Sequence, residues 1–525
     1  MYRKWNIHLA LLFAGAISIP AQAASITFIG TGSVPGDALD YSGLTGTITG
    51  SAGTIPHNLL GAFGSGIAYT GSNNVYVMVN DRGYSDGITT PSYSNRFQVF
   101  SIVVDPQAKK VTPTLLDTRL MVTQAGENLV GQTSAFNALN PETGLRFDPE
   151  SVRLGRDGTL WVSDEYGPYI YQFDQTGRRI RSVQIPSYYQ IANPSADGAA
   201  EIANNTVGRQ SNRGMEGLAI SPDGTTLFGL MQNALLQDGA LNASLSRRGV
   251  NTRILKIDLA TGATQEYVYQ LQSGADNGLN DLLAINDHEF LAVERDGKAG
   301  TAAVTKKVYR FDITGATDVS SRGTIATNGL PQTGDAGFVP VKKTEFINLL
   351  NPDYGLAGAS FPEKIEGLAW GPDLPDGSHL LLVTTDNDLI SANPTRIYAF
   401  AVSADNFTIF QKQQIDVPFA NARQGTIAAT ASLPAYDIRT RTSTVSITFK
   451  NTGTSAITGP VNTVFPGLPR DVSLQNASGL AGSQPYVTIS SGNFAAGDSV
   501  TVYVRFGNPA NQGIEIRPVY YTGAF

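Results

Sequence analysis

The chain has 525 residues, enough for one large domain and a smaller one, with 15% charged residues, a net charge of −7 and no block of Lys or Arg. That balance argues against nucleic-acid binding. There is no cysteine, which excludes disulfides, a thiol nucleophile and thiolate metal sites.

The first 23 residues, MYRKWNIHLALLFAGAISIPAQA, read as an export signal: Arg3 and Lys4, an apolar stretch from Leu9 to Ile19, then Ala21-Gln22-Ala23 as a cleavage site. The apolar run is too short to span a membrane, and no later run approaches the ~20 apolar residues needed. The expectation is an exported protein, periplasmic or secreted, without a transmembrane segment.

From Ser65 onward one pattern recurs. Its copies are SGIAYTGSNNVYVMVNDRG, ESVRLGRDGTLWVSDEYG, EGLAISPDGTTLFGLMQN, NDLLAINDHEFLAVERDG and EGLAWGPDLPDGSHLLLVTTDND, starting at residues 65, 150, 216, 280 and 366. Each is a polar residue, an apolar run, an Asp/Asn/Gly turn, a second apolar run and further polar residues, which is hairpin chemistry. A third apolar element follows most copies, as in RFQVFSIVVD, YIYQFDQTG, RILKIDLATG, KVYRFDITG and RIYAFAVSAD. A meander repeated in this way predicts an all-β protein whose main domain is a β-propeller, because no single meander buries both of its faces. Five blade repeats are legible, and the two longest spacings leave room for a sixth. The early strand SITFIGTG is a candidate to close the ring, with Gly425 to Ala429 as a further contributor.

In a propeller the innermost strands line a central channel. Residues entering them, and residues leaving their hairpin partners, emerge on one face. Glu150, Glu216, Asn280, Asp281 and Glu366 therefore converge on one mouth, with Asp81, Asp164, Glu165, Glu294, Asp386 and Asp388 as a wider ring. So many carboxylates are unfavourable together without a positive charge among them. Ca²⁺, which accepts six to eight oxygen ligands in irregular geometry, is the natural occupant, although another divalent cation also suits. Arg82, Arg213, Arg295 and Lys364 flank the same motifs and suit an anionic substrate. In this reading Glu150, Glu216, Asn280, Asp281 and Glu366 bind metal, while Asp164, Glu165 and Glu294 are candidates for proton transfer. The structural alternative is that the acids bond a neighbouring blade's backbone and the bases only form salt bridges. Trp161 and Trp370, inside apolar runs, read as core.

Other catalytic patterns are weak. Gly83-Tyr84-Ser85-Asp86-Gly87 matches G-x-S-x-G, but a proline and a new strand follow where a nucleophile elbow needs a helix. His57, His288 and His379 are far apart in sequence, against a histidine-rich zinc site.

DPESVRLGRDGTLWVSDEYGPYIYQFDQTGR, NRGMEGLAISPDGTTLFGLMQNAL and KIEGLAWGPD resemble the exported bacterial proteins of the phytase-like family, named for an esterase-like activity of phytase. The resemblance covers most of residues 55 to 415 and implies a propeller that hydrolyses phosphoesters or carboxylic esters. The E-G-L-A-x-x-P-D-G repeat is also similar to gluconolactonase-type propellers, in which Glu, Asn and Asp at the blade starts hold a divalent cation. That similarity implies Glu150, Glu216, Asn280 or Asp281, and Glu366 as ligands here. The chain departs from it where the first copy begins with Ser65 and the third ends in Gln232.

Beyond about residue 420 the composition changes to short alternating strands, clearest in Ser443 to Lys450 and Ser499 to Phe506. The expected solution is an immunoglobulin- or fibronectin-like sandwich, either docking to a surface or another protein or serving as a structural cap. The expected division is a leader over 1–23, a propeller over 24–432 and a sandwich over 433–525. The function expected is metal-dependent hydrolysis of a small anionic or ester substrate. The alternative is a non-catalytic propeller that recognises a glycan or surface partner through the same mouth.

Overall fold

The computed structural model describes residues 25–522 apart from 51–52, 72–73, 84–91, 324–328, 418, 421–425, 466–467, 470 and 482–483. The leader and residues 84–87 of the G-x-S-x-G string, Ser85 among them, fall outside the described residues. Within them no helix is long and apolar enough to cross a membrane.

Five four-stranded antiparallel sheets carry the repeats. From the inner strand outward, the first blade is Gly66–Tyr69, Val75–Val79, Arg96–Asp105 and Lys110–Leu120. The second is Pro149–Leu154, Leu160–Asp164, Ile170–Phe173 and Arg179–Ser182. The third is Met215–Ile220, Thr226–Met231, Asn251–Asp258 and Thr264–Gln270. The fourth is Asn277–Ala284, Glu289–Asp296, Lys306–Asp312 and Lys342–Asn348. The fifth takes Lys364–Trp370, His379–Asp386 and Thr395–Val402 from one end of the domain and Ile26–Val34 from the other. The early strand thus closes the ring as expected, pairing from Ile26↔Val402 to Val34↔Thr395.

The ring closes with five blades, which corrects the allowance for a sixth. Each inner strand packs on the next, and the fifth returns to the first. Five apolar clusters fill the five blade-to-blade seams. Phe63, Tyr76 and Leu382 lie between the fifth and first blades, Val77 and Phe173 between the first and second, and Trp161 and Leu218 between the second and third. Phe228 and Phe290 lie between the third and fourth, and Val293 and Leu381 between the fourth and fifth. Among the described residues the long repeat spacings hold no further blade: residues 121–148 join the first two blades, and residues 313–341 join the outer strands of the fourth. Trp161 is core as expected; Trp370 packs on Phe407 and Phe410 and donates to the Ala284 carbonyl at 2.9 Å.

After the fifth blade, the chain crosses the far face of the ring. Gln411, Gln414 and Val417 donate backbone N–H groups to the carbonyls of Ile285, Pro222 and Arg156, so one strap binds the fourth, third and second blades. Beyond it lie two further sheets. One joins Ile427–Ala431, Thr442–Asn451, Ser499–Gly507 and Ser473–Leu474, with Ala435–Asp437 pairing beside Thr442–Asn451. The other joins Gly479–Ala481, Gln484–Ser490, Val461–Val464 and Val519–Thr522. Val445, Ile447 and Phe506 of the first sheet share a buried core with Val461, Ile489 and Tyr520 of the second. Ile427–Ala431 pairs with Thr442–Asn451, so a cut after Ser432 strands an edge strand. Of the expected closing segment Gly425 to Ala429, the residues from Ile427 onward join this sheet and not the propeller, Gly425 lying outside the described residues.

Candidate functional site

The inner strands of blades two to five share a distortion. Their register slips between Pro149 and Val152, Met215 and Gly217, Leu279 and Leu282, and Ile365 and Leu368. The slips fall on Glu150, Glu216, Asn280 and Glu366. A bulge adds a residue, bends the strand and re-aims a side chain, and here all four side chains line one axial cavity of about 230 Å³. The first blade's inner strand pairs without a slip.

Glu150 and Glu216 are buried. Burial first, then Glu216, Asp148 and Glu165, holds the Glu150 carboxyl well above the ordinary range. Burial, Glu165 and Glu366 do the same to Glu216 against the pull of Arg295 and Arg213. Gln232, at the end of the third copy, donates to Glu216. Glu366 accepts from Arg295 Nη2 at 2.8 Å and from Asn280 Nδ2 at 3.4 Å. Among the described residues, Glu366 Oε2, Asn280 Oδ1, Gln232 Oε1 and Glu165 Oε1 are buried acceptors without a hydrogen-bond donor. An unmet buried acceptor is costly; those of Glu366, Asn280 and Gln232 suit a hard cation, while Glu165 keeps an oxygen free at the cavity wall.

Two acid clusters flank the cavity, and they differ. Asp81, Asp386 and Asp388 already enclose a cation, the Lys364 ammonium, at 3.1, 2.9 and 2.5 Å. In the other, carboxylate oxygens of Asp148, Glu150 and Glu165 lie within 4.8 Å of one another. Arg82 reaches Asp148 at 2.9 Å and Glu165 at 3.4 Å, while Arg213 stands 3.9 Å from Glu165. Gly214 brings the third blade's entrance against Glu165: a Cβ there would lie 1.9 Å from the Glu165 carbonyl oxygen. Asn212, which accepts from Arg82, is in the left-handed region at φ 52°, a strained backbone of the kind that gathers at functional sites.

Three expected site residues face elsewhere. Asp281 lies below the cavity, 2.7 Å from Arg153 Nη2, and accepts from Ser151 Oγ at 2.6 Å and Leu368 N at 2.7 Å. It ties the second, fourth and fifth blades together and has no oxygen left for a metal. Glu294 holds Lys343 at 2.7 Å and accepts from Gln272 N, Asn277 Nδ2 and Tyr269 Oη, which saturates it away from the mouth. Asp164 accepts from the backbone of Asp148 and Gly167; burial pushes its carboxyl up to about 6, yet it braces loops and does not line the cavity. Glu165, Arg82, Arg213, Arg295 and Lys364 do line it.

Sequence reasoning missed Asp148 and Arg247. Asp148 stands two residues before Glu150, in the same FDPES string. Arg247 comes from a loop with no counterpart in the other blades; burial and the nearby Arg213 draw its pKa down. Of the histidines, His57 is buried, His288 meets Asp312 at 3.1 Å, and His379 opens a strand with Asp373 at 2.9 Å.

Fold and site together define a five-bladed propeller with an acid-lined axial cavity and a cationic rim. The chain belongs to the family described as "Phytase-like: Esterase-like activity of phytase", which matches residues 58–389. It is 28% identical over 465 residues to an uncharacterized secreted protein of Arthroderma benhamiae, covering 70% of this chain and 87% of that protein. Solved structures similar to it include an exo-β-1,3-galactanase from Phanerochaete chrysosporium, with 10% identity, TM-score 0.31 and 93% and 98% of the two chains covered. A gluconolactonase from Xanthomonas campestris aligns with 12% identity, TM-score 0.26 and 72% and 99% covered.

Proposed function

We propose that the protein is an exported, divalent-cation-dependent hydrolase of phosphate esters or related esters, working at the axial cavity. One observation carries this reading: four bulged inner strands turn Glu150, Glu216, Asn280 and Glu366 into one cavity whose buried acceptors lack donors. Family membership supports ester hydrolysis. The donor set of carboxylate and amide oxygens fits Ca²⁺. When bound, such an ion supplies positive charge among the carboxylates and polarises an ester oxygen.

The remaining work falls to the chain. Arg213, Arg247 and Arg295, on the cavity wall, hold the anionic part of the ester. Glu165, with one carboxylate oxygen unmet, is the general base and takes a proton from the attacking water. The water oxygen bonds to phosphorus or the acyl carbon, the ester oxygen departs with the bonding electrons, and the proton on Glu165 returns to it. Asp164 holds the loop that carries Glu165, and Asp281 holds the blades in register. The C-terminal sheets, proposed here as an immunoglobulin- or fibronectin-like sandwich, serve as an accessory docking module.

The test is a panel of phytate, nitrophenyl phosphate, nitrophenyl acetate and lactones, run with and without EDTA on wild type and Glu216→Gln. EDTA-sensitive turnover that Glu216→Gln abolishes supports the reading. Turnover indifferent to both overturns it.

A further inference from the structure

The axial cavity has a neighbour. A second cleft, of about 460 Å³, opens beside it and shares Asn212, Arg213 and Arg247. It is also lined by Leu241, Leu245 and the half-buried Ile202. The lining common to both spaces is therefore cationic, and the side cleft adds apolar side chains to it.

Three features mark the cleft as built for a ligand. Among the described residues Arg247 makes no ion pair, and burial together with the nearby Arg213 guanidinium draws its pKa down. Glu165, 3.9 Å from Arg213, is the acid that acts on both, so two guanidiniums share one carboxylate and the net positive charge favours an anion. Next, the segment presenting Arg247 is held firmly. Leu241 and Arg247 bridge across a hairpin, Asn242 Oδ1 accepts from Ser244 N and Ser246 N at 2.9 Å each, and Arg248 N and Gly249 N both reach the Ala240 carbonyl. Lastly, Leu245 sits at the tip with φ 58° and a relative exposure of 53%. A branched apolar residue in the left-handed region is costly, and here it sets an apolar side chain in the lining of the side cleft.

We infer that the substrate is a phosphate monoester of an apolar, aryl- or alkyl-type alcohol, its anionic head gripped between Arg213 and Arg247 and its apolar group lodged in the side cleft against Leu241, Leu245 and Ile202. This deepens the hydrolytic reading and rests on it. A compact polyphosphate, charged on every side, leaves the apolar lining unused. A monoester with one charged end and one apolar end matches both linings, and its ester bond then lies at the junction with the axial cavity.

Binding of non-hydrolysable phosphonates separates this inference from the hydrolysis itself. Calorimetry would compare methylphosphonate, phenylphosphonate and naphthylphosphonate on the full-length protein, with calcium present. Affinity is expected to rise roughly tenfold or more from methyl to naphthyl as apolar area is buried. Leu245→Ser should remove most of that gain and leave methylphosphonate unchanged. Arg247→Ala should weaken all three by about tenfold or more, because a charge-assisted contact to the head is lost. Circular dichroism confirms that both variants remain folded. Equal affinity for methyl- and naphthylphosphonate, or an Arg247→Ala protein that binds as wild type does, overturns the inference. If the phosphonate ranking holds while no ester in the panel is hydrolysed, the hydrolytic reading fails and the head-and-tail site stands as a binding site.

Discussion

Arg153, on the inner strand of the second blade, meets Asp281, on that of the fourth, 2.7 Å apart in the middle of the channel. Both are buried, and the guanidinium also donates to the Ile67 and Leu282 carbonyls at 2.8 and 2.7 Å. The pair therefore floors the axial cavity and links four blades through two side chains and the bonds they make.

Asp281→Ala should consequently act on the fold and not on the ion. Removing one member of a buried pair leaves the other charge uncompensated, which costs about 3–5 kcal/mol. The melting temperature should fall clearly, while metal content per folded chain, by mass spectrometry, stays at the wild-type value. Lost metal with unchanged stability would return Asp281 to the ligand set.

Chelation should show the opposite pattern in the wild type. A ligand that binds only the folded state stabilises it by RT ln(1 + [L]/Kd), about 4 kcal/mol at a thousandfold excess over Kd. EDTA should lower the melting temperature by scanning calorimetry, and calcium should restore it. Glu150→Gln and Glu366→Gln should each shrink the EDTA response. An EDTA-indifferent protein carrying no metal would remove the cation from the site.

The hairpins were legible in the sequence because an apolar run, a turn and a second apolar run are local features. The number of blades was not, because closure rests on Ile26–Val34 pairing with Thr395–Val402 almost the whole domain away, and because the loop over 121–148 has a blade's length without its strands. At the site, Glu150, Glu216 and Glu366 could be matched because they hold one position in one repeat. Asn280 and Asp281 could not be told apart, since neighbours along a strand point to opposite sides and only the bulge decides which faces the cavity. Glu294 misled for a related reason: its strand position resembles that of Asp164, but Lys343, from an outer strand, draws it away. Arg247 left no trace because its loop belongs to the third blade alone.

Rates should separate Glu165 from Glu294. Glu165→Gln is expected to lower kcat by ~10²–10³, the usual loss for one well-placed polar group at a reacting centre. Glu294→Gln keeps its shape but weakens its hold on Lys343, so stability should drop while kcat of the folded protein stays within about threefold, far short of the loss for a group at the reacting centre. Ser85→Ala should leave activity intact, since its G-x-S-x-G string is followed in the sequence by a proline and then by the strand Arg96–Asp105, where a nucleophile elbow needs a helix. An inactive, folded Ser85→Ala protein would replace the cation-dependent site with a serine esterase.

The boundary between the two parts can be placed by stability. Phe419 lies in the seam between the first and second blades with the Arg119 guanidinium 4.4 Å over its ring, and Ala420 N donates to Gln175 Oε1 at 2.8 Å. The propeller therefore holds the chain as far as Ala420. Ile427–Ala431 belongs to the other side, paired along its length with Thr442–Asn451 and burying Ile427 in the shared core. A fragment of residues 24–420 should remain soluble and keep its metal. A fragment of residues 426–525 should melt at a higher temperature than one of residues 433–525, which loses an edge strand and a buried isoleucine contact worth about 1.5–3 kcal/mol. Equal melting temperatures for the two C-terminal fragments would mean that the edge strand adds nothing and that the division after Ser432 is the correct one.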